Sequence, residues 1–388
     1  MPEPGAQHVE RALSPVVDLE AREAAPSPSA GIALCLSGGG YRAMVFHVGA
    51  LWRLNELGYL GKLDRVSSVS GGSITAGLLG LKWAHLGFVN GVARGFEPEV
   101  VAPIRALAGK SIDVTSVVLG ALLPGSISGR VSSAYRKHLF GDATLQDLPD
   151  DPPRFVINAT NVQSGALWRF SKPYMRDYLV GEVKNPNVRL ADAVAASSAF
   201  PPVLSPARMQ LDAALFSPSV GEPLHQDAFL SQVVLSDGGV YDNLGLETAW
   251  KRYQTILVSD AGQKIAPDAN PHADWVRHAI RVLSIIDNQV RSLRKRQLIA
   301  AYEAGTRNGT YWGIGSDIAK YGVAGALPCL PENVAQLAAV PTRLAAMPPQ
   351  LQERLINWGY AICDAAIRRH VDPGLPPPAG FPYPAIGI

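Results

Sequence analysis

The hydrophobic pattern near the start of the chain is that of a strand followed by a helix, and it repeats at once. GIALCLS at residues 31–37 is a short apolar run, as expected for a buried strand, and three glycines follow it. In residues 41–57 apolar side chains recur at helical spacing, and Gly58 supplies a helix stop. RVSSVS at residues 65–70 predicts a second strand, and residues 71–86 predict a helix that is apolar on nearly all sides.

Three later apolar runs extend the same pattern. Strands are predicted at RFVINATNV (residues 154–162), QVVLSDGG (232–239) and TILVSDAG (255–262). Because helical stretches divide these strands, we expect an α/β fold with a mainly parallel sheet covered on both faces. In such sheets, chemistry gathers where strands pass into helices.

Residues 274–304 predict one long amphipathic helix. Its apolar side carries Val276, Ile280, Leu283, Val290 and Leu293, and Arg277, Arg281, Arg291 and Lys295 lie largely on another side. We expect the basic face around Arg291, Arg294, Lys295 and Arg296 to be a solvated helix surface. Attraction of anionic lipid headgroups is the alternative for this face.

The composition divides the chain and bounds its function. Its 388 residues predict about two to three domains, or one large α/β unit with extensions. We expect a flexible N-terminal arm (residues 1–30), an α/β domain (31–330) and a C-terminal helical extension that ends in a proline-rich tail (331–388). Apolar residues make up 47% and charged residues 18% of the chain, which is ample material for a buried core.

Charge and cysteine content exclude several classes of protein. A net charge of +2 argues against a nucleic-acid binder, which would carry a strong basic excess. The three cysteines are too few and too far apart for a disulfide framework or a cysteine-based zinc site, so a reducing, cytoplasmic compartment is expected. The N-terminus lacks a secretory signal, and no apolar run approaches the roughly 18 residues of a membrane span. Any membrane contact is therefore expected to be peripheral.

The most informative polar residue is Ser70, which lies between a predicted strand and a predicted apolar helix. A serine on such a sharp turn needs small neighbours two residues away on either side, and here these are Ser68 and Gly72. This is the nucleophile-elbow pattern G-x-S-x-G with its first glycine replaced by serine. The alternative is a turn of small residues that merely lets a helix pack closely.

Gly38, Gly39 and Gly40 follow the first strand and could present bare backbone amides to an oxyanion, with the positive charge of Arg42 nearby. A dinucleotide-binding loop is a rival interpretation, because Gly38, Gly40 and Ala43 loosely match G-x-G-x-x-G/A. Against it, the next strand ends in serines and not in an acid suited to a ribose hydroxyl. A glycine turn without function is the third interpretation.

Asp237 is the leading candidate for the general base of Ser70. It ends an apolar strand and precedes two glycines, so no side chain would screen it from another loop. Asp260, in a similar position after the next strand, is the second candidate. A Ser–Asp–His triad would instead need His272, His278 or His370, none of which has a distinctive loop context. No histidine has metal-ligand spacing, so neither a metal nor a cofactor is expected.

The order of these blocks resembles the patatin-like phospholipases. Gly-Gly-Gly-Tyr-Arg-Ala comes first, then Ser-Val-Ser-Gly-Gly, and Asp-Gly-Gly comes much later. A fourth block, ASSAFPP at residues 196–202, looks like the Ala-Ser-x-Ala-x-Pro segment of that family. The likeness covers roughly residues 31–245.

The resemblance implies a three-layer α/β/α fold, a Ser–Asp dyad without histidine, and cleavage of lipid acyl esters. It makes Ser70 the nucleophile and Asp237 the base, and it places Gly38, Gly39, Gly40 and Arg42 around the oxyanion. The expected substrate is a phospholipid or lysophospholipid. The sequence departs from the family at Ser37, Ala43 and Ser68, where Asp, Gly and Gly are frequent.

Two further interpretations follow from these features. The departures at the three positions leave a catalytically silent scaffold or ligand-sensing protein as the alternative function. The apolar run at residues 116–124 is a candidate lid or membrane-docking segment, although burial in the core is the expectation for such a run.

Overall fold

The computed structural model of the protein describes residues 28–112, 127–150, 152–217 and 223–388. The predicted arm lies outside the described residues as far as residue 27, and the apolar run at residues 116–124 lies outside them entirely. An eleven-stranded mixed sheet forms the centre of the described structure, and helices cover both of its faces. This arrangement confirms the expected three-layer α/β/α fold.

The strands agree with the predicted ones to within one or two residues where predictions were made, and several short strands were not predicted. They are β1 Ser29–Leu36, β2 Arg65–Val69, β3 Phe88–Val89, β4 Val92–Ala93, β5 Arg154–Asn161, β6 Leu167–Phe170, β7 Tyr174–Asp177, β8 Gly181–Lys184, β9 Ala207–Gln210, β10 Phe216–Ser217, β11 Gln232–Asp237, β12 Tyr253–Asp260 and β13 Asn308–Gly313.

The α-helices include those predicted at residues 41–57, 71–86 and 274–304, and several others were not predicted individually. They are α1 Gly40–Glu56, α2 Gly71–Lys82, α3 Ala102–Ala108, α4 Ile127–Tyr135, α5 Leu190–Ser197, α6 Asp227–Leu230, α7 Gly239–Asp242, α8 Glu247–Trp250, α9 Trp275–Glu303, α10 Pro331–Ala338 and α11 Pro349–His370. Two π-helical turns, Glu97–Val101 and Arg136–Phe140, adjoin them, and short 3₁₀ turns are Leu60–Lys62, Trp83–His85, Leu145–Asp147, Ala213–Leu215 and Ile318–Tyr321. The helix predicted at residues 71–86 thus passes into a 3₁₀ turn after Lys82.

The centre of the sheet is parallel and one flank is antiparallel. Strands β5, β2, β1, β12 and β13 lie side by side in that order and run parallel. From β5 the sheet continues through β6, β7, β8 and β10 as an antiparallel meander. Strand β11 pairs antiparallel with both β5 and β9, so its direction differs from that of the central strands.

The two faces of the sheet have separate apolar cores. Along β1, Leu34 and Leu36 belong to the larger core, and Ala33 and Cys35 belong to the smaller one. This alternation is the two-residue period of a strand with both faces buried. Helices α1, α2 and α11 contribute to the larger core, and α8 and the C-terminal part of α9 contribute to the smaller one.

Helix α11 packs along α1, and glycines make the close approach possible. A Cβ atom on Gly49 of α1 would lie 1.9 Å from the Ile356 carbonyl oxygen, and one on Gly359 of α11 would lie 2.0 Å from the Phe46 carbonyl oxygen. Each helix therefore needs a glycine where the other backbone crosses it. The segment at 331–388 is in this way joined to the same core as the N-terminal helix.

Buried charges and the proline-rich tail strengthen this contact. The Asp364 carboxylate lies between Arg53 of α1 and Arg368 of α11, at 2.8 Å from each guanidinium. The tail is not helical, as predicted, and its carbonyl groups at Pro376 and Tyr383 accept hydrogen bonds from Arg53 and Asn357. The C-terminal residues thus fix the position of α1, which begins at the glycine loop.

Replacing Gly49 by alanine tests this crossing. We expect Gly49→Ala to lower the free energy of unfolding by about 2 kcal/mol or more, because an added methyl in a packed core must displace backbone. Chemical denaturation followed by circular dichroism measures the change. Gly315→Ala is the control, since a Cβ there has nothing within 4 Å, and it should shift stability by less than about 1 kcal/mol. Equal stability of the two variants would contradict the glycine-dependent crossing.

Candidate active site

Two strands end head to head along one side of β5. Strand β2 pairs with residues 154–158 of β5, and β6 occupies the opposite side along residues 157–160. Strand β11 pairs with residues 159–161 of β5, so it must lie on the same side as β2, beyond the end of β2. Because β11 is antiparallel to β5, it runs toward β2, and both strands end at the middle of this edge.

The two candidate residues meet at that point. Val69, the last residue of β2, pairs with Asn158, and Asp237, the last residue of β11, pairs with Ala159. Ser70 follows Val69 directly, and its hydroxyl lies near enough to the Asp237 carboxyl group to favour the charged carboxylate. The structure therefore brings together the serine and the aspartate that the sequence singled out.

Ser70 occupies a strained turn between β2 and α2. Its φ is 51° and its ψ is −120°, a left-handed backbone conformation that non-glycine residues rarely adopt. A Cβ on Gly71 would lie 2.1 Å from the Gly40 carbonyl oxygen, and one on Gly72 would lie 2.5 Å from the Leu36 carbonyl oxygen. The small residues after Ser70 are thus required for the turn to fit against the glycine loop.

Ser197 at the end of α5 holds the turn from behind. Its hydroxyl accepts a hydrogen bond from the Ser70 amide at 2.9 Å and donates to the Asn158 carbonyl at 2.6 Å. The Ser73 hydroxyl lies 2.9 Å from that of Ser197 and donates to that of Ser68 at 3.0 Å. Ser68, which replaces the first glycine of the elbow pattern, is therefore part of a network of serine hydroxyls. Sequence reasoning assigned no role to Ser197, although it lies in the fourth block of the resemblance.

Asp237 is buried and hydrogen-bonded on one oxygen. Its Oδ1 accepts a hydrogen bond from the Gly239 amide at 2.7 Å, while its buried Oδ2 has no hydrogen-bond partner among the described residues. Burial raises the pKa of Asp237 to about 7, against the opposing effects of the Gly239 amide and the Ser70 hydroxyl. A carboxylate with a pKa near neutrality is a stronger base than an ordinary aspartate and still ionises at physiological pH.

Gly38 lies against the nucleophile elbow. A Cβ on Gly38 would be 3.2 Å from the Ser70 Cβ atom and 2.4 Å from the Asn243 side-chain oxygen, so only glycine fits between them. The Gly38 amide donates to the Asn243 carbonyl at 3.1 Å and is therefore not free to bind an oxyanion. Asn243, six residues after Asp237, was not singled out from the sequence.

The next two glycines keep their amides available. Gly39 and Gly40 have φ values of 142° and 59°, which glycine adopts readily. Within the described ranges, neither amide donates to a protein acceptor. Gly40 begins α1, so its amide lies at the positive end of a 17-residue helix. Of the three glycines, these two can offer donors to a bound anion.

Arg42 is a buried link between loops. Its guanidinium donates to the Ala261 carbonyl through Nε at 3.1 Å and Nη2 at 2.8 Å, and Nη1 donates to the Val340 carbonyl and to the Gln263 side chain. Burial lowers the pKa of Arg42 to about 10, so the group remains cationic at neutral pH. The donors of Arg42 thus hold the glycine loop to residues 261–263, while its positive charge stays beside the loop.

Asp260, the second candidate base, has other partners. Its Oδ2 accepts from the Tyr311 hydroxyl at 2.7 Å, and its Oδ1 accepts from the Gly262 amide at 2.8 Å. Both carboxylate oxygens therefore have hydrogen-bond donors of their own, one of them from β13. The structure gives Asp260 no hydrogen bond to Ser70 among the described residues.

The candidate histidines of a triad lie on other elements. His272 lies just before α9 and His278 in its first turn, and both are exposed, while His370 at the end of α11 packs edge-on against Tyr321. A fourth histidine, His47, is buried in α1 and joins the Ser37 carbonyl to the Ser259 hydroxyl, each at 2.9 Å. Burial lowers the pKa of His47 to about 4, so this side chain is neutral and links the end of β1 to β12 through hydrogen bonds.

Across the described ranges, no three His, Cys, Asp or Glu side chains are grouped so that they could hold a metal ion. No helix in these ranges is long and apolar enough to cross a bilayer.

Replacing Ser197 tests how firmly the elbow is held. Ser197→Ala leaves the buried Ser70 amide without its acceptor, so we expect stability to fall by about 1–3 kcal/mol in chemical denaturation. Ser133→Ala is the control, because that exposed hydroxyl bonds only a carbonyl of its own helix, and it should change stability by less than about 0.5 kcal/mol. A neutral Ser197→Ala would show that the elbow does not depend on this bond.

Comparison with known proteins identifies the family of the chain. The sequence profile of the family described as patatin-like phospholipase matches residues 34–250, more than half of the chain. Human GIVD cytosolic phospholipase A2 in complex with methyl gamma-linolenyl fluorophosphonate superposes with a TM-score of 0.51 at 15% identity, over 93% of this chain and 60% of that one. VipD from Legionella pneumophila gives a TM-score of 0.32 at 14% identity, over 87% of this chain and 66% of that one.

No curated protein sequence matches this chain significantly. The chain spans only about half of the length of human GIVD cytosolic phospholipase A2 in another of its structures, 52% at a TM-score of 0.38. The profile match nevertheless covers the glycine loop, the elbow and Asp237, and it confirms the resemblance drawn from the sequence. The chain belongs to the patatin-like phospholipase family.

Proposed function

We propose that the protein is a serine lipid acyl hydrolase, of the phospholipase A or lysophospholipase type, that cleaves carboxylic esters of membrane lipids. Ser70 is the nucleophile and Asp237 is the general base. The proposal is carried by one observation. The Ser70 hydroxyl and the buried Asp237 carboxyl lie together where β2 and β11 end on the same edge of β5. Family membership supports the same class of activity.

In the first step, Asp237 accepts the Ser70 proton as the serine oxygen attacks the ester carbonyl carbon. Burial favours the protonated form of Asp237, so taking up this proton costs less than it would for an aspartate in water. The alcohol part of the lipid leaves with a proton returned by Asp237, and an acyl-enzyme remains on Ser70. In the second step the same carboxylate activates a water that releases the fatty acid.

The amides of Gly39 and Gly40 bind the oxyanion of each tetrahedral intermediate. They are the donors of the glycine loop that no described protein acceptor uses, and Gly38 permits the loop to approach the elbow. Removing one such donor typically costs about 3–4 kcal/mol of transition-state stabilisation. Arg42 acts as a positioning residue, because its donors hold the loop to residues 261–263 while its charge favours an adjacent anion.

The substrate is a phospholipid or lysophospholipid, and we place the enzyme in the cytoplasm with peripheral contact to a membrane. The three cysteines, Cys35, Cys329 and Cys363, are free thiols, which supports a reducing compartment.

Covalent labelling tests the nucleophile, and ester hydrolysis tests the base. We expect a fluorophosphonate probe to label the wild type on Ser70 and to leave Ser70→Ala unlabelled, as read by mass spectrometry. Asp237→Asn should reduce hydrolysis of phospholipid esters by at least about 10³-fold, since an amide cannot accept the proton. Liquid chromatography with mass spectrometry of the released fatty acids measures the loss.

Matched substitutions separate the dyad from its alternatives. Asp260→Asn removes the second candidate carboxylate and should keep activity within about tenfold, as should single replacements of His272, His278 and His370. Collapse of activity in one of these variants with retention in Asp237→Asn would move the base elsewhere. A wild type that resists labelling while remaining folded would favour the silent scaffold.

The pH dependence tests the burial of Asp237. The raised pKa means that the carboxyl is protonated, and inactive as a base, below about pH 7. We therefore expect kcat/KM for a neutral short-chain ester to rise tenfold per pH unit at low pH and to level off above about pH 7. A profile that is already flat from pH 5 upward would show that Asp237 titrates as an ordinary exposed aspartate or is not the base.

A further inference from the structure

The long helix α9 turns its polar side toward the protein. Arg281 donates to the Ala266 carbonyl at 2.8 Å, and Arg291 donates to the Gln263 carbonyl at 2.6 Å. Farther along, the Lys295 ammonium lies 4.5 Å from the centre of the Tyr311 ring. At about 100° per residue these three cations share one stripe of the helix, and all three are partly buried.

Arg294 likewise pairs with Glu247 at 3.2 Å. The prediction of a solvated basic face is therefore wrong for Arg291, Arg294 and Lys295, because their charged groups are directed to carbonyls, a carboxylate and an aromatic ring of the body. Of the four basic residues of that face, Arg296 is exposed.

The apolar stripe of α9 faces solvent. Trp275 at the start of the helix is 82% exposed and Leu283 is 61% exposed, and Ile286, Val290 and Leu293 are exposed as well. These five residues lie within a stripe about 80° wide, on the opposite side of the helix from the inward-facing cations. The usual order of a surface helix is thus reversed, because its apolar side should pack on the core. Such a surface marks a site of association.

A second group of exposed apolar side chains lies beside the dyad. Val240 follows Asp237 by three residues, on α7, which α9 contacts. Phe200 follows Ala199, whose carbonyl accepts the Asp237 amide at 2.9 Å. The exposed stripe of α9 and these two side chains therefore occur on elements that meet around the candidate active site.

The composition of the outward stripe favours an apolar medium as its partner. Residues 275–303 contain six Lys and Arg, but four of them face the body, and Arg277, Arg291 and Arg294 pair with Asp274, Asp287 and Glu247. The stripe itself carries no charge. Helices with an exposed apolar side, cations on the opposite side and a terminal tryptophan are typical of binding in the plane of a membrane surface.

We propose that the outward stripe of α9, together with Phe200 and Val240, docks on a lipid bilayer, and that this contact presents membrane lipid to Ser70 and Asp237. This inference rests on the proposed function, because a lipid acyl hydrolase must reach esters that are held in a bilayer. It specifies which surface makes that contact.

Vesicle flotation tests the docking surface on the full chain. Wild type should float with vesicles of phosphatidylcholine alone and with vesicles of phosphatidylcholine and phosphatidylglycerol at 3:1. Leu283→Glu/Ile286→Glu on α9 should weaken the partition coefficient for the mixed vesicles by at least tenfold. The matched control, Leu215→Glu/Leu330→Glu, adds the same charge at exposed leucines outside α9 and should bind within twofold of wild type.

Two further measurements separate this inference from the proposed function. Fluorophosphonate labelling and hydrolysis of a monomeric short-chain ester should stay within twofold of wild type in the α9 variant, because the dyad is untouched. Absence of labelling in every variant, with vesicle binding as expected, would refute the hydrolase and leave the docking surface standing. Labelling as expected, with equal vesicle binding by wild type and the α9 variant, would overturn the docking surface alone.

Light scattering with size-exclusion chromatography tests the other possible occupant of the stripe, a second copy of the chain. We expect wild type and the α9 variant to have the same mass in the absence of lipid. A wild-type dimer that becomes monomeric in Leu283→Glu/Ile286→Glu would show that the stripe is an interface between copies, and that result would also overturn the inference. Failure of the wild type to bind either vesicle would do the same.

Discussion

One edge of β5 determines where Ser70 and Asp237, the proposed dyad, can meet. Strand β2 uses the first part of this edge and β11 the last part, and both strands terminate where they meet. A parallel β11 would have carried Asp237 away from Ser70, toward the far end of the sheet. The reversed direction of this single strand therefore unites two residues that are 167 positions apart in the sequence. The surrounding helices and loops then need only hold each end in place.

That support depends on burial, and burial also sets the reactivity. The Ser70 amide is satisfied by Ser197, so the strained elbow persists without an unpaired amide. The same dry surroundings raise the pKa of Asp237, because a charged carboxylate loses its hydration there. Desolvation that disfavours the native carboxylate thus makes it a better base. The glycine contacts between α1 and α11 also support the site, because they position α1 and the glycine loop lies at its start.

The sequence revealed local features better than directions in space. Periodicity and small-residue patterns predicted β1, α1, β2 and the elbow, because each depends on neighbours within a few residues. The partners Ser197 and Asn243 were missed, since their roles arise only when distant segments meet. The direction of Arg42 could not be predicted either, because its acceptors at Ala261 and Val340 lie more than 200 residues away in the chain.

Helix α9 shows the same limit in its clearest form. Its periodicity correctly predicted an amphipathic helix, but periodicity does not say which side faces the protein. The tertiary structure decides this, because carbonyls at Gln263 and Ala266 offer acceptors that arginines can reach and leucines cannot. Directing the cations inward leaves the apolar stripe in water, an unfavourable state for the isolated protein. In the proposed docking, the bilayer that covers the stripe removes this unfavourable exposure and also holds the proposed lipid substrate.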